Sequence, residues 1–202
     1  MDYVIPMDGD GEDRPEEIRP LIEKAKEYPD TVITANRIKR SEGFLFKFCY
    51  LIHKYLTFVF TGQSIKFGNY TCLPKPVVAK MVEEAATWSS FSGSLTKIAK
   101  ERKSISSIRG LRYFGPSKMS FINLLKHSLS IIAVFRMTVF IRSLIFLAVY
   151  FFLMSQRLSA ITLIPVILVI LMIISVFVLS GHENITELNN SLENINNIEN
   201  LK

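Results

Sequence analysis

The stretch from Val139 to Leu179 constrains this chain more than any other. It holds two apolar segments, Val139–Met154 and Ala160–Leu179, joined by the short link "SQRLS". Only Thr162, Pro165 and Ser175 interrupt the second. About 20 helical residues rising 1.5 Å each cross a hydrocarbon core ~30 Å thick. The first segment is shorter, but it extends backwards if Arg136 and Arg142 snorkel to the interface. So tight a link predicts a two-helix transmembrane hairpin with both flanks on one side of a lipid bilayer. Basic residues ahead of Met137 predict that side to be cytoplasmic, weakly opposed by Arg157 in the turn. The expected product is a two-pass integral membrane protein with both termini cytoplasmic.

Ahead of the hairpin there is room for one modest domain in a chain of 202 residues. The expected organisation is an α/β domain over 1–118, an interfacial amphipathic helix over 119–136, two transmembrane helices over 137–180 and a polar, Asn-rich tail over 181–202. The formal charge is +6. A basic balance points to phosphorylated substrates, anionic lipid or nucleic acid. Cys49 and Cys72 form no CxxC pair and read as ordinary buried thiols. His53, His127 and His182 have no partners at metal-ligand spacing, and no role is assigned to them.

Within the first 118 residues, "DYVIPM" reads as a short buried strand. Asp13 fits a helix N-cap with Glu16 as its reciprocal partner, and Pro15 suits the first turn. The helix "PEEIRPLIEKAKEY" puts Ile18, Leu21, Ile22 and Ala25 on one face. "TVITAN" is a second strand, followed by the basic loop "RIKRSEG". "FLFKFCYLIHKYLTFVF" is an aromatic, apolar helix expected to lie on something greasy. "GQSIKFGNYTCLP" is a loop and strand, and "KPVVAKMVEEAATW" an amphipathic helix. Residues 97–118 carry Lys97, Lys100, Arg102, Lys103, Arg109, Arg112 and Lys118 against one acid, Glu101. Aromatic interleaving is sparse there and a membrane surface accounts for the charge equally well, so nucleic acid is not an expected partner. "SFINLLKHSLSIIAVF" is the interfacial helix. The tail can form a short helix through Leu188, Leu192 and Ile195, or remain disordered.

The acids at the end of the first strand are the chemical signal. Asp8, Asp10 and Glu12 alternate, and on an extended strand all three would point to one side. Converging carboxylates repel unless a cation joins them, and Mg²⁺ or Mn²⁺ takes such oxygen ligands and shares them with phosphates. An EF-hand fails, because the positions that need Gly and Glu hold Asp13 and Arg19. An acid-rich, solvated turn remains the plainer alternative.

"VIPMDGDGEDRPEEI" resembles the strand and metal motif of family 2 glycosyltransferases of the dolichyl-phosphate mannose synthase and polyprenyl-phosphate glucosyltransferase type, which read "MDADLQDPPE" or near it. Asp8 and Asp10 match the metal pair, Glu12 stands where Gln is usual, and Asp13, Pro15 and Glu16 match as well. "ANRIKRSEG" is similar to "GxRxxRxxG" at Arg37 and Arg40. "FLFK" puts Lys47 where the family has a basic residue near the acceptor phosphate. "RYFGPSKMS" is similar to "RxxGxSKYS" at Arg112, Gly115, Ser117 and Lys118. The resemblance spans residues 2 to about 180, and a two-helix hairpin fits one branch of the family. It implies the C-terminal part of a GT-A-like domain that moves a sugar from a nucleotide-sugar to polyprenyl phosphate. Asp8, Asp10 and Glu12 would hold Mg²⁺ or Mn²⁺, Arg112 and Lys118 would face the donor diphosphate, and Arg37, Arg40 and Lys47 the acceptor phosphate. That branch also includes homo-oligomers. The alternative is a non-catalytic membrane protein whose degenerate transferase domain docks a partner.

Two departures shape the expectations. Where the family often has "GDFRL", this chain has "GNYTC", so Asn69 replaces an aspartate on the acceptor side. Asn is no general base at neutral pH, but a lipid phosphate oxygen is already nucleophilic. The family's base- and ribose-binding strands precede its acid motif, whereas Met1 lies seven residues before Asp8. The expectation is that the 202-residue chain alone does not transfer sugar, since the donor would lack walls to orient it. Purified protein with nucleotide-sugars, polyprenyl phosphate and Mn²⁺ should give no metal-dependent turnover; turnover would overturn the expectation.

Overall fold

A strand rich in β-branched residues and a helix with one apolar face need each other, because neither buries its side chains alone. That pairing organises residues 2–107. The computed structural model describes residues 2–37, 44–108, 110–113, 121–157, 159–181 and 183–191. The chain is mixed α/β. Strand β1 (Tyr3–Val4) leads through a 3₁₀ turn (Pro15–Glu17) into helix α1 (Ile18–Glu27) and strand β2 (Val32–Arg37). Helix α2 (Phe44–Thr61) and strand β3 (Phe67–Pro74) follow, then α3 (Lys75–Glu83), α4 (Ala86–Ser89), α5 (Phe91–Ile98) and strand β4 (Arg102–Ser107). The rest is helical: α6 (Phe121–Ala133), α7 (Arg136–Met154), α8 (Ala160–Ser180) and α9 (Ile185–Asn189).

The four strands form a sheet in the order β1-β3-β2-β4. β3 runs antiparallel to both neighbours, with Val4 opposite Leu73 and Ile33 opposite Cys72. β4 runs parallel to β2 from Val32↔Arg102 to Arg37↔Ser107. Side-chain alternation along β2 and β3 feeds two cores. Ile33, Ala35, Tyr70 and Cys72 meet Leu21 and Ala25 of α1 on one face. Val32 and Leu73 meet Met81 of α3 and Leu95 of α5 on the other. Helices therefore cover both faces, as in three-layer α/β units. Cys72 is buried, and desolvation pushes its thiol above the ordinary range, as expected of a structural cysteine.

Three details differ from the sequence reading. β1 is two residues long rather than six, because Pro6 has no N–H for the ladder and the chain leaves β3 there. Asp13 does not cap the first helix; Arg14 precedes the 3₁₀ turn, and no side chain accepts there. The sequence reading left out α5, just ahead of the basic run over 97–118, and β4 inside it. The cations of that run also scatter: Lys97 pairs with Glu84 at 2.8 Å, Arg102 bonds the Ala99 carbonyl and lies over Phe67, and Lys103 sits over the Tyr28 ring.

α7 and α8 have 19 and 21 residues and are long and apolar enough to cross a membrane. Only 11% and 17% of their apolar windows are buried, which separates them from core helices. α8 starts on a Ser159–Thr162 capping box. The pair is stitched at both ends. Near the turn the Tyr150 hydroxyl donates to the Thr162 carbonyl at 2.7 Å. At the base Arg136 bonds Glu183 at 2.9 Å. α6 joins this base: Ile132 and Ala133 pack with Val139 and Val176.

α2 leans on the hairpin through an arginine. Gly62 ends α2 at φ +73, and its N–H returns to the Phe58 carbonyl at 2.8 Å. The Arg142 guanidinium donates to the Val59 carbonyl at 2.9 Å, filling an acceptor that the last turn leaves open. A Cβ on Gly62 would lie 2.7 Å from that guanidinium. Arg142, itself exposed, thus also meets protein at this carbonyl. On its outer side α2 leaves Phe48, Leu51, Tyr55 and Phe58 exposed, a stripe at helical spacing.

The hairpin predicts opposite accessibility for its turn and its tail. With Cys49 and Cys72 replaced, single cysteines at Ser155 and Ser191 should react with an impermeant thiol reagent from opposite sides of sealed vesicles. Labelling of both from one side would rule the hairpin out.

Candidate functional site

Strand directions decide where the motifs meet. β1, β2 and β4 all run one way, because β1 and β2 are each antiparallel to β3 and β4 is parallel to β2. Their C-terminal ends and the start of β3 therefore share one edge of the sheet. Open α/β sheets bind ligands at such an edge. The acid turn follows β1. Arg37 is the last residue of β2, and Asn69 is the third of β3. Arg112 lies five residues beyond the end of β4, and Lys47 is in the first turns of α2. Asp10, Arg37, Asn69 and Arg112, spread over 100 residues, thus come to one end of the sheet. Arg40 and Lys118 lie outside the described residues, as do the side chains of Arg37 and Lys47.

The acids do not sit on an extended strand. Residues 9–12 form a turn around Gly11 at φ +89, a conformation that glycine adopts without penalty. The turn is internally bonded. Glu12 N–H donates to Asp10 Oδ1 at 3.0 Å, and Asp8 N–H donates to Asp13 Oδ2 at 3.1 Å. Asp13 is 4% exposed, so the residue read as a helix cap closes this turn from within.

A second segment is zipped onto the turn. Gly110 N–H donates to the Glu12 carbonyl and Tyr113 N–H to the Asp10 carbonyl, both at 2.9 Å. Between these two bonds Arg112 reaches back to the acids. Its Nη2 lies 3.1 Å from Asp10 Oδ2 and its Nε 2.8 Å from Glu12 Oε1. One planar guanidinium bridges two carboxylates. Packing here is tight: a Cβ on Gly11 would press on the Tyr113 ring, and one on Gly110 would run into the Gly11 carbonyl. Ile108 N–H adds a bond to Glu17 Oε1 at 3.2 Å.

Tyr70 fastens the far end of the turn to the sheet. Its hydroxyl donates to the Arg14 carbonyl at 2.6 Å. Burial, with Asp13, Glu17 and Glu16 adding negative charge, pushes its phenol up to about 12. It stays a donor at any physiological pH. A cleft of about 460 Å³ opens beside the turn, with Gly11, Arg14, Glu16, Leu111, Arg112 and Tyr113 among its lining.

The sequence reading grouped three acids for a metal and kept Arg112 apart for a diphosphate. In the fold Asp10, Glu12 and Arg112 form one cluster, while Asp8 is exposed beside it. Among the described residues no three acid, His or Cys side chains gather closely enough to hold a metal. Two carboxylate oxygens do converge on one cationic locus. That locus is the Arg112 guanidinium itself. Asn69 is exposed, and its carbonyl accepts from the Thr71 hydroxyl at 3.1 Å. Tyr70, Gly110 and Tyr113 were not foreseen. The "DGDG" run was the available sign of a turn rather than a strand end.

No family model matches this chain, and no curated protein matches it.

The zipped segment predicts a sharp contrast between two glycines. Gly110→Ala must push the Gly11 carbonyl aside, an overpacking cost of ~1–3 kcal/mol that lowers the melting temperature by roughly 2–10 °C. Gly9→Ala meets nothing within 4 Å and should melt like wild type. Equal melting of the two variants by circular dichroism would refute the zipped arrangement.

Proposed function

We propose that this chain is part of a membrane-anchored glycosyltransferase that moves a sugar from a nucleotide-sugar to polyprenyl phosphate at the cytoplasmic face. Its α/β part is read as GT-A-like. The observation that carries the reading is the meeting of the acid turn, Arg112 and the ends of β2 and β4 at one edge of the sheet. Further support comes from the aromatic stripe of α2 and the apolar hairpin beside it, which suit an acceptor that lives in a bilayer.

In this reading Asp10 and Glu12, with Asp8 beside them, face the donor diphosphate. A divalent ion bound there, Mg²⁺ or Mn²⁺, would supply positive charge to the departing nucleoside diphosphate. Arg112 and Lys118 contribute further cations to the same phosphates. Arg37, Arg40 and Lys47 receive the lipid phosphate, whose oxygen attacks the sugar without needing a base. Asn69 offers a neutral polar contact at that side. The basic residues ahead of Met137 keep the sheet and both termini cytoplasmic.

One observation favours the alternative of a non-catalytic membrane protein that docks a partner. Asp10 and Glu12 are already paired with Arg112, and a site of that kind can be purely structural. Transfer separates the two readings. With the nucleotide-binding half of the resembled family fused ahead of Met1, membranes should move label from a nucleotide-sugar to added polyprenyl phosphate in a Mn²⁺-dependent way. Asp10→Ala should cut that rate by at least ~10²-fold, an effect of several kcal/mol on the leaving group, while the protein stays in the membrane fraction. Transfer at the unmodified rate by Asp10→Ala would overturn the role of the acids.

A further inference from the structure

We infer that α2 lies lengthwise in the water–lipid interface of a bilayer, with its aromatic stripe among the acyl chains and Lys54 on anionic headgroup phosphates. The inference rests on the reading of α7 and α8 as a membrane-spanning hairpin. Three observations carry it. The first is the stripe. Phe48, Leu51, Ile52, Tyr55, Phe58 and Val59 are exposed and recur three or four residues apart, so they share one flank of α2. Thr57 and Thr61 are buried on the other flank, and Phe60 packs against Ile132, Val139 and Val176 of α6, α7 and α8. The stripe is thus the flank that the protein leaves uncovered.

The second observation is where the stripe ends. The Val59 carbonyl accepts from the Arg142 guanidinium at 2.9 Å. Arg142 lies about 9 Å along the axis of α7 from its first residue, Arg136, at 1.5 Å per residue. The ion pair of Arg136 with Glu183 marks that first turn as a polar boundary. An interfacial helix sinks its apolar face roughly 5–10 Å past such a boundary. Ile141 and Ile145, beside Arg142 on α7, are exposed. The end of the stripe is therefore fastened to a helix whose own uncovered residues suit lipid, at the depth where an interfacial helix belongs.

The third observation is charge. Residues 43–82, which include α2, and 102–182, which include α6, α7 and α8, contain no Asp or Glu. Lys54 is exposed between Leu51 and Phe58, and Lys126 is exposed beside Ile122 and Leu125 on α6, which packs against α2. Apolar side chains and cations without acids complement an anionic bilayer: the lysine stem lies along the apolar layer while its ammonium reaches the phosphates. A symmetric second copy would instead set lysine against lysine. The placement has a consequence for the candidate site. β2 leaves the site edge of the sheet at Arg37, β3 enters it at Phe67, and α2 is the connection between them. An immersed α2 holds that edge near the headgroups, where the phosphate of a lipid is met.

The test places a nitroxide on the full chain in vesicles and compares its collisions with oxygen, which concentrates in lipid, and with a nickel chelate, which stays in water. Cys49 and Cys72 are replaced, and single labels follow Leu51→Cys, Tyr55→Cys, Ile167→Cys on α8 or Lys26→Cys on the outer side of α1, all exposed positions. In mixed phosphatidylcholine and phosphatidylglycerol, labels at 51 and 55 should favour oxygen at a depth of roughly 5–10 Å. The label at 167 should favour oxygen more strongly, and the label at 26 should favour nickel. Adding Lys54→Glu should raise nickel collisions at 55 by about 5-fold in the mixed lipid, and not in phosphatidylcholine alone. Nickel access at 51 and 55 equal to that at 26, with 167 still in lipid, would overturn the inference and leave the hairpin standing. Nickel access at 167 as well would overturn both. Labels at 51 and 55 shielded from both reagents would overturn the inference in favour of a covering protein. No response to Lys54→Glu in the mixed lipid would overturn the assignment of anionic headgroups.

Discussion

Strand β3 is the constraint on which the rest depends. It pairs with β1 on one side and β2 on the other, and it runs against both. Without it the two strands whose ends carry the acids and Arg37 would have no common frame. Its alternation serves both cores at once, with Cys72 toward α1 and Leu73 toward α3 and α5. Tyr70 adds a third duty, holding the Arg14 carbonyl so that the turn after β1 cannot drift from the sheet. Such a bond contributes only ~1 kcal/mol net, but it is partly buried, and a lost partner there costs more than a kept one gains.

Charged side chains, besides apolar packing, close the hairpin and tie it to α2. Arg136 ties the first turn of α7 to Glu183 beyond α8. Arg142 ties α7 to the last turn of α2. An arginine in an apolar helix is costly in lipid unless it reaches an interface or a partner. Here both find protein acceptors, which fixes the rotation of α7 about its axis. The faces left over are apolar, and so is the outer stripe of α2.

Much of this was legible in the sequence because it depends on local pattern. α1, β2, α2, β3 and α3 follow from periodicity, and α7 and α8 from length and composition. β4 was not legible, because "RKSISS" holds a single apolar residue, Ile105, and gains its identity only by lying beside β2. The short α5 was hidden by Ser and Gly, whose small side chains let it sit against its neighbours. At the site, the residue types were readable and their geometry was not. Arg112 and Glu12 are 100 residues apart, and nothing local announces that they touch. The turn at Gly11 was the reverse case: its signal was present, but alternating acids also fit a strand. The resemblance supplied roles for separate motifs; only the strand directions bring them to one edge.

The bond from Arg142 to Val59 spans 83 residues of chain, and that separation has a meaning for biosynthesis. A ribosome adding about 5–20 residues per second needs about 4–17 s to go from one partner to the other. Throughout that interval α2 has been made with an aromatic flank and an open carbonyl at its end, and neither α7 nor α8 exists to receive it. The helix that leads into β3 must wait, either against the membrane surface or in the care of whatever escorts the emerging chain. The sheet has no such wait, since β4 ends at Ser107, ahead of Arg142. The open carbonyl at the end of α2 is filled only by an arginine of the apolar hairpin made 83 residues later.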